Sequence, residues 1–213
     1  MQGVRAPSQK RAQESWEHLL TVAEELIEEV GFSGVTAAEL SRRSGISNGA
    51  IFWRVGNMDA LFVAVHERFL ERTADEQAVY RDPERWAGLE LEPFIAASVR
   101  VMADIFERHG RMFVALMARL PADQGTEARA LESVRGAGAE FIRHVGSRLA
   151  RAGCAEPDVV AGSMFQVVFG ALLTRATWPA EQTPVDIPWD RFVEDLCDMA
   201  TAYAIRHTEA ARV

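Results

Sequence analysis

Only two cysteines occur in the 213 residues, Cys154 and Cys197. They lie far apart and in no C-x-x-C or metal-ligand spacing, which excludes a disulfide framework and a thiolate zinc site; each reads as a small buried apolar residue. There is no glycine-rich phosphate loop, no dinucleotide fingerprint, no G-x-S-x-G and no His-Glu-x-x-His. The five histidines, His18, His66, His109, His144 and His207, never stand four apart. Neither a familiar catalytic centre nor a helical metal site therefore has visible ligands, and the reading is non-enzymatic, without cofactor or metal. Long hydrophobic runs are missing too. The longest uncharged stretch, Val159 to Thr174, contains Ser163, Gln166 and two glycines. It falls short of the ~20 apolar residues that span a bilayer and reads as a helix buried in protein. No apolar segment follows the basic residues near Met1, so no secretory signal is read and a cytoplasmic location is expected. Positive charge is also short, with 23 basic residues against 31 acidic ones and a net charge of −8. That balance on its face argues against a polyanionic partner.

Strand signals are nearly absent, internal repeats and low-complexity tracts are absent, and 48% hydrophobic and 25% charged residues suit a soluble globular chain. Apolar residues recur at helical spacing, which gives an all-α fold. In the first helix Trp16, Leu19, Leu20, Ala23, Leu26, Ile27 and Val30 share one arc, and Glu14, Glu17, Glu24, Glu25, Glu28 and Glu29 are expected on the opposite, solvated one. Gly31 ends it. Thr36 to Glu39 forms a capping box for a short second helix that Gly45 stops. Ser47 caps a third helix through about Arg54, and Asn57 caps a fourth over 58–81. Beyond the charged stretch Arg81 to Arg85, helices are expected at 84–108, 111–120, 127–152, 157–177 and 189–208. Breaks are placed at His109-Gly110, Pro121 to Gly125, Gly153 to Pro157 and Pro179 to Pro188. The division is a helix-turn-helix domain with an N-terminal arm over 1–57, a connecting fourth helix, and a helical domain over 82–213.

Two short helices joined by a turn of about three residues, the second opened by a polar cap, have the layout of a helix-turn-helix, whose second helix can enter a DNA major groove. Resolved by segment, the charge permits this. Residues 1–13 hold Arg5, Lys10 and Arg11 and residues 40–58 hold Arg42, Arg43 and Arg54, in both cases without an acid. Screening makes phosphate attraction local, within about 10 Å.

The run from Trp16 through Leu61 resembles the N-terminal domain of TetR-family transcriptional regulators. The resemblance is carried by Gly31-Phe32, Val35-Thr36, Leu40 to Ser47, Gly49 to Phe52 and Asp59-Ala60-Leu61. It implies an all-helical homodimer, usually a repressor, that binds a palindromic operator through its N-terminal helices and an inducing ligand through a divergent C-terminal domain. Carried over by position, Ser47, Asn48 and Ala50 face bases, Trp53 lies along the groove or backbone, Thr36, Arg42, Arg43 and Arg54 contact phosphate, and Gly49 and Phe52 complete the DNA-binding set. Three positions depart from the family pattern. Phe52 stands where Tyr is usual, Val55 where Phe is usual, and Met58 where Lys is usual. The first and last would each forfeit a phosphate contact, which keeps open an alternative: a ligand-sensing or protein-interaction module with weakened or lost DNA binding.

In the C-terminal part, Val159 to Thr174 has no polar face, and Phe192, Val193, Leu196, Cys197, Ala200, Tyr203 and Ala204 share one arc of the last helix. These segments, 157–177 and 189–208, are expected to form a homodimer interface. Met102, Phe106, Phe113, Met117, Phe141, Met164, Phe165 and Phe169 are expected to line a cavity for a small apolar or aromatic effector. His109, His144, Gln166 and above all Arg175 are the polar candidates for orienting it.

Overall fold

The computed structural model describes residues 6–119, 124–178 and 185–209, and among them no strand occurs. Among the described residues nine helices follow one another: α1 (Ala6–Val30), α2 (Ala37–Ser44), α3 (Asn48–Val55), α4 (Met58–Gln77), α5 (Pro83–Trp86), α6 (Leu91–Arg119), α7 (Gln124–Arg151), α8 (Pro157–Thr177) and α9 (Trp189–Glu209). Short 3-10 turns at Phe32–Gly34 and Ala78–Arg81 follow α1 and α4.

The caps explain the early boundaries. The backbone N–H of Glu39 donates to the Thr36 hydroxyl at 3.2 Å, that of Ala50 to Ser47 Oγ at 3.2 Å, and that of Ala60 to Asn57 Oδ1 at 2.8 Å. Each bond satisfies one of the amides a helix start leaves without a partner. Gly45 ends α2 in the left-handed region at φ 70°, a conformation that disfavours any side chain. The N-terminal arm expected over residues 1–13 is helical from Ala6 onward; Arg5 lies outside the described residues.

Three further expectations are corrected. Glu24 sits on the inner side of α1, 6% exposed, and Val30 at its end is 52% exposed. The core-facing arc is rotated because α4 packs beside α1, and Arg72 and Arg68 of α4 reach Glu24 at 2.8 and 3.7 Å. The break expected at His109-Gly110 does not occur, since α6 runs unbroken through both residues. Glycine disfavours a helix by about 1 kcal/mol relative to alanine, and packing on both sides overrides it: Phe106 and Phe113 stack at 4.4 Å across the position. The helix expected over 84–108 is instead divided by a turn at 87–90, and Pro93 falls in the first turn of α6, where its missing N–H is harmless.

Two buried clusters result. One holds Leu19, Leu26, Leu40, Ile51, Phe62, Val65 and Phe69 of α1 to α4. The other holds Phe94, Val99, Phe141, Leu149, Met164, Leu172 and Leu196 of α6 to α9. Met112, Ala115 and Leu116, in the C-terminal third of α6, belong to the first cluster, and Phe113 packs against both. The helix-turn-helix part thus completes its core with residues from beyond position 82. Helix α8 buries Val160, Ala161, Met164, Phe165, Val168 and Leu172, while Val159 and Val167 remain 62% and 65% exposed. Its length and apolar content would also allow a membrane span, yet one face is packed in the core. Within the single chain α8 is covered on one face, and the other is left open. Both cysteines are buried and unpaired.

Candidate functional site

Helix α3 presents Ser47, Asn48, Gly49, Ala50, Phe52 and Trp53 to solvent, and Ile51 points into the core at 0% exposed. Trp53 is 86% exposed, and no packing among the described residues accounts for its position. Thr36 is exposed at the start of α2. Arg54 is half-buried, its guanidinium lying over the Trp16 ring of α1 at 5.5 Å from the centroid. Met58 is half-buried beneath the first turn of α4.

The two arginines of α2 are held within the chain. Arg42 donates to both carboxylate oxygens of Glu39, at 2.8 and 2.6 Å. Arg43 donates to Glu39 at 2.9 Å and to both oxygens of Glu29 at 2.7 and 2.6 Å. These hydrogen bonds, Arg42 first, draw the Glu39 carboxyl down to about 2. The sequence places no acid in 40–58, but the fold brings two from just outside it. The carboxylate half of the expected capping box is therefore engaged by arginines, whereas the hydroxyl half caps α2.

Between α4, α6, α7 and α8 lies a cavity of about 90 Å³. A single water needs roughly 10–15 Å³ on this scale, so several water-sized groups fit. Met102, Phe106, Phe113, Met117, Phe165 and Phe169 line it as expected. Three expected residues do not. Phe141 is wholly buried one layer behind the wall, against Tyr80 and Phe165. Arg175 is drawn away to the Ile187 carbonyl at 2.8 Å, tying the end of α8 to the segment before α9. Met164 also packs in the core outside the wall.

Among the described residues the polar ones on the wall are His66, Thr73, Gln77, Tyr80 and Ser133, and no Asp, Glu, Lys or Arg lines it. None of the polar candidates read from sequence reaches it. His109 bonds to Glu76 at 2.8 Å, Gln166 is exposed, and His144 sits among Tyr80, Trp86 and Phe94 with Ser98 Oγ at 3.2 Å. A signal for the missed set was present in the spacing, because His66, Phe69, Leu70, Thr73 and Gln77 recur at three and four residues along one face of α4. Phe69 and Leu116 line the cavity and also lie in the core of the helix-turn-helix part.

Residues 19–65 match the family model of the bacterial regulatory proteins of the tetR family. No curated protein matches the chain in sequence. Among solved structures, a protein described as a TetR-family transcriptional regulator from Mesorhizobium loti superposes with a TM-score of 0.71 at 11% identity, over 92% of this chain and 98% of its own. A transcriptional regulator from Rhodococcus sp. Rha1 gives 0.62 at 16% identity, over 92% and 97%. The transcriptional regulator FadR from Bacillus subtilis, solved with stearoyl-CoA, gives 0.64 at 11% identity, over 88% and 98%. At these identities the likeness shows the fold, an N-terminal helix-turn-helix domain followed by a helical domain.

Proposed function

Taking an N-terminal domain of the tetR family as the premise, we propose that the chain is a ligand-responsive repressor that binds a palindromic operator as a homodimer and releases it when a small apolar or aromatic effector occupies the cavity. The observation that carries this reading is the shared wall. Phe69 and Leu116 face the cavity and belong to the core that holds α1 to α3, and Phe113 touches both cores. An occupant that displaces these side chains acts directly on the footing of α3. Close packing turns such a displacement into a change of arrangement rather than a graded strain. The effector then favours a dimer whose two reading helices no longer match half-sites about 34–36 Å apart. The uncharged wall suits a neutral body, and the FadR structure with its acyl ligand gives a fold-level precedent for an apolar occupant.

Selection of bound DNA from a random pool with the full chain tests the reading, followed by competition with a panel of apolar compounds. The expected result is one palindromic consensus and an effector that lowers its affinity by roughly 5–150-fold, the usual range of allosteric coupling. An effector that binds without changing operator affinity would remove the regulatory mechanism. Recovery of no DNA at any salt would favour the alternative, a sensing module without a working reader, to which the engaged Arg42 and Arg43 lend an observation.

A further inference from the structure

We infer that α3 identifies its operator chiefly through the C5-methyl groups of thymines, with Trp53 as a specificity-determining contact and Asn48 as the main polar reader of an adenine. This rests on the reading of α3 as the groove-entering helix and deepens it by naming what the helix recognises.

The polar inventory of the helix is short. The Ser47 hydroxyl accepts the Ala50 amide as the cap. Arg54 lies against Trp16 on α1, and Arg42 and Arg43 are bound to Glu39 and Glu29. A bidentate arginine on guanine, the commonest specific contact in the major groove, thus has no candidate on the outward face of α3. Asn48 does carry the adjacent donor and acceptor that match adenine N6 and N7.

What the face offers instead is apolar surface. Trp53 is 86% exposed, Phe52 is 40% exposed, and Ala50 lies beside them in the open. The groove presents one apolar group whose place depends on sequence, the thymine methyl. Gly49 adds an independent sign. A Cβ built there meets nothing within 4 Å, so no contact within the chain requires glycine, and glycine is a poor helix former. A bare backbone at that point lets a base edge approach to van der Waals distance.

The test uses the operator recovered by selection, resynthesised with deoxyuridine in place of thymidine at each position of a half-site. Uracil lacks only the methyl. The expectation is A·T pairs under α3 and about fourfold weaker binding per contacted methyl removed, from the transfer free energy of one buried carbon. The loss should be the same at low and high salt, because no counterion is involved. Trp53→Ala, at an exposed position that leaves the core intact, should abolish the uracil effect where the indole lies while leaving the salt slope unchanged. Equal affinity for thymidine and deoxyuridine at every position would overturn the inference and leave the regulator reading standing. So would a Trp53→Ala chain with unaltered affinity and uracil response, the result expected if the apolar face serves a protein partner. Recovery of no DNA would overturn both together.

Discussion

Glu39 holds the two arginines of α2 that the resemblance assigns to phosphate, and its pKa states over what range. Arg42 and Arg43 lower it from 4.5 to about 2. A depressed folded-state value means the ion pairs contribute fully above about 4.5 and are lost as pH falls through about 2, so mild acid leaves them closed. Neutralising the carboxylate by Glu39→Gln should free the Arg42 guanidinium, while Arg43 keeps both of its bonds to Glu29, with a several-fold gain in DNA affinity and a steeper salt dependence, read by titration at several ionic strengths. An unchanged slope would mean that Arg42 does not reach phosphate. His144 carries the opposite kind of shift. Burial foremost, with Arg148 nearby, pushes it down to about 4, against the hydrogen bond involving Tyr80 that raises it. Between about 6.5 and 4 the unfolded chain binds the proton and the folded chain does not, so stability falls as pH falls through that window. Calorimetry should show the melting temperature dropping from pH 7 to 4.5, and less steeply in His144→Phe, which keeps the ring contacts with Tyr80, Trp86 and Phe94. Neither residue's role was legible from sequence. Glu39 read as a cap because Glu29 reaches Arg43 only once α1 and α2 are folded together, and His144 read as a cavity residue because periodicity gives a side chain's face but not its depth.

At the scale of elements, caps and turns were legible because each depends on a few adjacent residues: Thr36, Gly45, Ser47 and Asn57 stand where the expected helices begin and end. The errors arose where distant packing overrides local preference, and α6 is the clearest case. His109-Gly110 carries a helix-end signal, yet Met112, Ala115 and Leu116 must continue the helix to complete the core of α1 to α4. Gly110→Ala tests this continuity. A Cβ there would meet only the Ala176 methyl, at an ordinary 3.7 Å. Alanine should therefore stabilise the chain by about 0.8–1 kcal/mol and raise its melting temperature by roughly 2–4 °C. Destabilisation would mean that the helix is broken at Gly110 in solution, as its local sequence suggests. The close α7–α8 contact behaves differently, since a Cβ at Gly138 would stand 3.0 Å from the Phe165 ring and push it into the cavity.

For the whole molecule, the net charge of −8 divides into −2 over residues 1–70 and −6 over the remainder. Folding further neutralises α2, so affinity for DNA of arbitrary sequence should be modest and specific binding should depend on two heads acting together. That makes the uncovered face of α8 and α9 decisive. Val167 and Met199 are 65% and 58% exposed, and with Tyr203 they flank a groove floored by Met164, Val168, Leu196 and Ala200. A second copy related by a two-fold axis would cover the same residues on both chains, so each substitution counts twice. Burying one such side chain contributes ~1.5 kcal/mol or more, and Val167→Glu with Met199→Glu removes four of them from the pair. The dissociation constant of the dimer should rise by roughly 10⁴ or more, measured by sedimentation, while helix content is unchanged because both positions lie outside the core. Operator affinity should fall with it, since two half-sites would no longer be bound by one linked body. A double variant that sedimented as a dimer would place the interface elsewhere on the chain.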